Sequence, residues 1–167
     1  MEKINISSIF NSPLEASLRL LFIFKNTKKS ILDTQRMIYY NYLLIHSSDI
    51  LNAPKSLHPD MPNRACEIFV SRKIILKGLN LLISKDLISV IYAPTGVKFK
   101  PNKNTFLFVN NMESGYSKEL DKRAKWVCEN FDKLADNKLK IIMQDNLGKW
   151  GSEFSREFHI IGDTNNA

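Results

Sequence analysis

Apolar and polar positions along this chain alternate with two different periods. The first block is NSPLEASLRLLFIFKN, in which Leu14, Leu18 and Leu21, with Leu20 and Phe24, recur at helical spacing. Ser12 stands before Pro13, and Glu15 follows three residues after Ser12, the signature of a capping box with proline at the first helical position. The pattern predicts a helix from about 13 to 26. KNTKKS is a basic connector to a second helix, TQRMIYYNYLLIHS, capped by Asp33 and stapled by Leu32 and Met37. Met37, Asn41 and Leu44 share one row and Ile38, Tyr42 and Ile45 the next, which leaves Arg36 and Tyr40 to face outward.

The periodicity then stops. Residues 47–63 hold Pro54, Pro59 and Pro62 and no apolar rhythm, a long connection of the kind that is functional or disordered. A third helix is predicted over about 64–84. Ile68, Ile75, Leu79 and Leu82 fall on one side of it, opposite Cys66, Lys73, Lys77, Asn80 and Ser84, so one stripe is wet and basic. In KDLISVIYAPTGVKFKPN the period changes to two. Ile88, Val90 and Tyr92 alternate with Ser89 and Ile91, Pro94-Thr95-Gly96 turns the chain, and Val97 and Phe99 alternate with Lys98 and Lys100, which predicts a β-hairpin. Phe106 to Val109 reads either as a further short strand or as a return to helix. From Ser117 the helical period resumes: Leu120, Ala124, Val127, Phe131 and Leu134 are spaced 4, 3, 4, 3. A last helix over about 136–148 places Leu139, Ile142, Met143 and Leu147 inside and ends at Gly148 and Gly151.

Three helices followed by a hairpin is the order of a winged helix-turn-helix. The fold expected is mostly α, of the α+β type: a winged-helix-like domain over 11–110 with a hairpin wing, a C-terminal helical arm over 111–150, and flexible ends at 1–10 and 152–167. The spacing in the arm suits packing on its own domain or pairing with another helix, and two heptads favour the former.

Charge bears on partners. Lys plus Arg number 24 against 17 Asp plus Glu, a net charge of +7, which permits contact with nucleic acid or an acidic partner without establishing either. Lys73, Lys77 and Asn80 on the third helix are candidates for phosphate or base contact, and Lys98, Lys100 and Lys103 on or beside the wing for phosphate contact. The plainer reading of the same lysines is a solvated face. The two cysteines, Cys66 and Cys128, form no CxxC pair and no Cys/His cluster, which argues against a zinc site. The start MEKINISSIF lacks the form of a signal peptide, and the longest apolar runs are broken by charge short of a bilayer span, so a cytoplasmic location with reduced thiols is expected.

SLHPDMPNRACEIF looks at first like a catalytic loop. A nucleophilic Cys66 would need His58 in reach, and spacing across Pro59 and Pro62 gives no reason for that. His58 and Asp60 are too few for a metal site. The simpler reading makes Cys66 a packing residue, Asp60 or Asn63 a helix cap and Arg64 a salt-bridge partner, with His58, Asp60 and Arg64 offering a docking surface. Tyr40 joins them as a candidate interface residue, and Trp126 reads equally as core or as partner contact. No phosphate-binding loop, HExxH, GxSxG or paired catalytic carboxylates are present, so neither catalysis nor a cofactor is expected.

Four segments in order, NSPLEASLRLLFIFKNTKKSILDTQRMIYYNYLLIHSSDI, NAPKSLHPDMPNRACEI, ILKGLNLLISKDLI and YSKELDKRAKWV, resemble the small middle component of bacterial ABC-three-component systems over about residues 11–132. The resemblance implies a non-catalytic subunit that bridges an ABC ATPase of the SMC or Rad50 type and an effector, often a nuclease, in defence against phage or plasmids, with Lamassu-type systems as relatives. It carries over no defined binding residues. The likeness is densest in the SLHPD loop and the LEASLRLLF helix, which marks these as expected contact surfaces. The competing expectation is a winged-helix transcription regulator that binds DNA by sequence.

Overall fold

The computed structural model describes residues 12–58 and 64–150. Six helices and a small sheet follow one another in these stretches: α1 (Pro13–Asn26), β1 (Leu32–Asp33), α2 (Thr34–Ile45), α3 (Arg64–Ser84), β2 (Ile88–Ala93), β3 (Gly96–Pro101), α4 (Lys103–Asn110), α5 (Gly115–Phe131) and α6 (Asp136–Trp150). The chain is thus mostly helical with one three-stranded antiparallel sheet in the order β1-β3-β2.

The predicted caps hold the helix starts. Ser12 Oγ accepts from Glu15 N at 3.2 Å, and Asp33 Oδ1 accepts from Arg36 N at 2.7 Å. Each satisfies one of the orphan donors of a first helical turn. The other half of the expected capping box is not made, because the Glu15 carboxylate is engaged elsewhere, as described below.

α1 and α2 are buried nearly all round and form the centre of the core. α3 and α5 lie against α1 with their apolar stripes, Ile75, Leu79 and Leu82 on one side and Leu120, Ala124, Val127 and Phe131 on the other. Gly78 lets α3 come close: a Cβ there would lie 3.2 Å from Ser17 N and 3.3 Å from the Ala16 Cβ. The hairpin pairs Val90 with Phe99, and β1 adds Leu32 opposite Phe99 on its other side. Ile88, Leu32 and Phe99 point inward and join the sheet to the helical core.

Residues 103–110 form helix α4, which decides between the strand and the helix expected near Phe106. Asn102 caps it in a reciprocal box. Its side chain accepts from Asn104 N at 2.9 Å and Thr105 N at 3.1 Å, while Thr105 Oγ1 accepts from Asn102 N at 2.9 Å. Gly148, expected to end the last helix, lies within α6.

Arg36 and Tyr40 require a correction. Both were expected to face outward, yet Tyr40 is 0% exposed and Arg36 is also buried. The α5–α6 turn covers them. Arg36 donates to Asp136 at 2.8 Å, to the Leu134 carbonyl at 2.7 Å, to the Phe131 carbonyl at 3.2 Å and to the Tyr40 hydroxyl at 2.8 Å. Tyr40 in turn donates to Asp132 Oδ1 at 2.8 Å. Asp132 also accepts from Thr27 Oγ1 and, at 2.7 Å, from Lys28 N beyond the end of α1. Burial pushes the Tyr40 hydroxyl pKa up, and the Asp132 carboxylate adds to this against the opposing pull of Arg36. Burial alone would lower the Arg36 pKa, but Asp136 and Tyr40 outweigh it and hold the guanidinium more firmly charged.

Candidate interaction surfaces

Three surfaces carry the features a docking protein would use. The first is the proline-bearing loop that leaves α2. Its described part has a defined shape: Leu57 N and His58 N both donate to the Ile45 carbonyl, at 3.0 and 3.2 Å, and Ser47 Oγ donates to the Pro54 carbonyl at 2.8 Å. Asn52 supplies the positive φ of 63° at its turn, a conformation that asparagine tolerates better than most residues. From α5, Arg123 Nε donates to the Lys55 carbonyl at 2.9 Å.

The loop is fastened to α1 through Glu15. Glu15 Oε1 accepts from His58 Nε2 at 3.2 Å, from Arg19 Nη1 at 3.2 Å and from the Tyr116 hydroxyl at 2.8 Å. One carboxylate thereby ties α1, the loop and the start of α5, and it faces an arginine that is itself buried. Burial would raise the Glu15 pKa, but the His58 hydrogen bond, the Arg19 charge and the Tyr116 hydroxyl outweigh it and bring it below the ordinary 4.5. Burial, then Glu15 itself, pushes the Tyr116 hydroxyl pKa up.

A group with a lowered native pKa stabilises above its unfolded value, and the effect is lost as pH falls through the native value. Glu15→Gln is therefore expected to lower stability by about 1.5–3 kcal/mol near neutral pH, the range for hydrogen bonds to charged groups. The gap from the wild type should close in acid below the ordinary carboxylate value. Thermal melts of both proteins across that range would check this; an equal gap at all pH values would refute it.

His58 is half-buried and its ring is engaged with Glu15, so it acts as a fastening of the loop. Asp60 lies outside the described residues, as does the Arg64 side chain. Tyr40, expected as an interface residue, is enclosed by Arg36 and Asp132 and has no surface to present. Trp126 is half-buried and meets Phe131 edge-on, with ring centroids 5.8 Å apart.

The second surface is basic. Lys73, Lys77 and Asn80 lie on the exposed face of α3, and Lys100 and Lys103 are exposed on and just beyond the hairpin. Lys98 differs, because the Asp33–Lys98 register of β1 and β3 brings its Nζ to 3.2 Å from Asp33 Oδ2.

The third surface is apolar: its floor belongs to the LEASLRLLF helix, where a contact surface was expected from the resemblance, while the walls from α3 and α4 were not singled out by the sequence. A groove of about 400 Å³ runs between α1, the end of α3 and α4, with Leu14, Leu18 and Leu21 as its floor and Leu81, Leu82 and Phe108 as its walls. Leu14 is 62% exposed there, and Phe106, Leu107 and Phe108 of α4 are exposed beside one another. A second apolar depression of about 280 Å³ adjoins it through Leu18, between Phe22 and the Met112–Leu120 segment. The signal available in the sequence was the Asn102-x-x-Thr105 cap. It fixes the start of α4 and so turns Phe106-Leu107-Phe108 into a helical surface.

Cys128 is buried and its Sγ lies 3.8 Å from the Ile23 carbonyl. Burial, with Asp132 and Glu129 nearby, pushes its thiol pKa up, the opposite of what a nucleophile needs. No helix among the described residues is long and apolar enough to cross a membrane.

Comparison with curated proteins and with solved structures yields no match to this chain. A family model does match, over residues 9–153 and hence most of the length, including all three surfaces. The chain belongs to the ABC-three component (ABC-3C) system Middle Component 2 family.

Proposed function

We propose that this protein is a non-catalytic bridging subunit that joins an ABC ATPase of the SMC or Rad50 type to an effector of nuclease type, in defence of the Lamassu kind against phage or plasmids. The observation that carries this reading is the family: a middle component of a several-part, defence-associated system works through protein partners. The make-up of the surface agrees with such a role. A pinned loop, an apolar groove and a basic helix face are presented together, the basic row of α3 running beside the groove at Leu81.

The order α1-β1-α2-α3-β2-β3, with β3 paired on both sides, supports a winged-helix reading of residues 11–110. Residues 111–150 form the helical arm, docked by the Arg36 and Asp132 bonds. In the complex, ATPase and effector are held in a restrained geometry, and DNA engagement releases the effector. Co-expression with the ATPase and effector tests the proposal. The tagged chain is expected to retain both through gel filtration, and retention of neither would overturn it.

The exposed row of Lys73, Lys77 and Asn80 keeps a second reading in play, a winged-helix regulator that binds DNA by itself, helped by Lys98, Lys100 and Lys103. The bridging reading expects sequence-blind, salt-sensitive DNA binding by the isolated chain, whereas a regulator would prefer its site by roughly a thousandfold or more. In either case the double substitution Lys73→Glu, Lys77→Glu is expected to weaken binding about tenfold. Loss of two phosphate contacts should flatten the log–log salt dependence by about 2. Anisotropy titrations at several salt concentrations would show whether it does.

A further inference from the structure

The apolar groove on α1 has the form of a seat for a helix. Leu14, Leu18 and Leu21 lie along one side of α1, and Phe22 continues the line into the second depression. From Leu14 to Phe22 this is about 12 Å at ~1.5 Å per residue, two turns of a partner helix. The one hydroxyl on the floor, Ser17 Oγ, is already committed to the Pro13 carbonyl at 2.7 Å and the Gly78 carbonyl at 3.1 Å. Few polar groups therefore remain to orient a small ligand, which a small-molecule site would need. The surface is concave, which suits a helix and not a flat bilayer.

The rim supplies direction. Lys85 lines the groove at the α3 end, and Lys77 and Lys85 stand one helical turn before and after Leu81 in a single row. Neither lysine has an ion-pair partner among the described residues. The nearby Asp86 carboxylate accepts from the Asn104 side chain at 2.9 Å, and the Asn102 side chain donates to the Asp86 carbonyl. At the other end, Glu113 lines the second depression.

We propose that this groove binds an amphipathic helix of a partner protein, with apolar side chains at i, i+3 or i+4, and i+7, and acidic residues at the end that meets Lys77 and Lys85. The apolar row lies on Leu14, Leu18 and Phe108, above the buried Leu21 and Phe22, and the charges fix the direction of the helix. This rests on the bridging reading, because it names the chemistry by which the chain would hold one of its proteins.

The test uses the full chain and synthetic peptides of about twenty residues, roughly five helical turns, that tile the ATPase and the effector encoded with it. Binding is read by fluorescence anisotropy. Peptides with apolar residues at helical spacing and an acidic end are expected to bind. Leu14→Asp and Phe108→Asp should each weaken them at least about tenfold. Leu14→Asp adds an acid to the first turn of α1, which suits the helix dipole, so the fold is kept. Lys85→Glu should weaken them about threefold, the scale of a rim ion pair, and peptides with Lys in place of the acidic residues should regain that loss. Ile141→Asp, on the exposed face of α6 and away from all three surfaces, should change nothing.

Four results would overturn the inference: no peptide bound, a preference for basic peptides, binding indifferent to Leu14→Asp and Phe108→Asp, or a dimer of this chain that Leu14→Asp dissolves. If the full-length partners still co-purify in any of these cases, only the groove assignment falls. If they do not, the bridging reading falls with it.

Discussion

Arg36→Ala is expected to cost about 3–5 kcal/mol of stability, from lost buried hydrogen bonds and the void that a large buried side chain leaves. For a chain of this length that is on the order of 10 °C in melting temperature. The size follows from how many groups the guanidinium serves. It satisfies the carbonyls of Phe131 and Leu134 where α5 ends, receives the Asp136 carboxylate that opens α6, and supports the hydroxyl of Tyr40. Truncation leaves the Leu134 carbonyl without a donor, strips the Phe131 carbonyl and the Tyr40 hydroxyl of one of their two bonds, and opens a void between α2 and the α5–α6 turn. Arg36→Lys should recover only a small part of the loss, because an ammonium cannot reach four acceptors arranged around a planar fork. Asp136→Asn should matter far less, since that side chain is 67% exposed and water replaces its half of the pair. Thermal melts of the three variants give the ranking. A shift for Arg36→Ala no larger than that for Asp136→Asn would show that the turn is held by its apolar contacts alone. Limited proteolysis should also cut Arg36→Ala first within residues 111–150, because those helices lose their polar anchor before their neighbours do.

The same residues show what the sequence could and could not reveal. Local signals were legible. Ser12 and Asp33 cap the helices they were expected to cap, the 4, 3, 4, 3 spacing marks the buried stripe of α5, and the change of period at Ile88 marks the hairpin. Arg36 and Tyr40 were misplaced because a helical period ranks positions by polarity, and polarity does not say what will cover them. The groups that accept their hydrogen bonds lie about a hundred residues further on. Leu14 shows a different limit of the helical period, though it lies in the helix that the resemblance marked as a contact surface. It shares a row with Leu18 and Leu21, but the row extends past the edge of the α1–α3 seam, so its first member faces the groove and water. α4 was ambiguous because Phe106 to Val109 has no polar position to reveal a period. Only the Asn102–Thr105 cap distinguishes helix from strand there. The basic face of α3 was legible as a face. Lys98 was not separable from it, because its pairing depends on the register of β1 with β3. What a surface binds is set by a partner's chemistry, which is why the groove could not be read from this chain's own pattern.

Gly78→Leu is expected to destabilise by about 3 kcal/mol, the upper end for overpacking, or roughly 5–10 °C in melting temperature. The first atom of any side chain at 78 would meet Ser17 N at 3.2 Å and the Ala16 Cβ and Pro13 carbonyl at 3.3 Å. Two of these are backbone atoms of α1 and the third is a methyl fixed to it, so no rotamer change relieves the contact. Gly78→Ala sets a smaller crowding against the roughly 1 kcal/mol that alanine gains over glycine inside a helix, and the two should nearly cancel. The consequence reaches the surface. Ser17 Oγ bonds the Gly78 carbonyl, and Leu81 and Leu82 stand one turn further along α3 as walls of the groove. Any displacement of α3 from α1 at residue 78 therefore moves Leu81 and Leu82 away from Leu18 and Leu21. Gly78→Leu should weaken capture of an acidic amphipathic peptide along with stability, whereas Gly78→Ala should leave both nearly unchanged. If Gly78→Leu melts like the wild type, α1 and α3 are not in the close contact that gives the groove its shape.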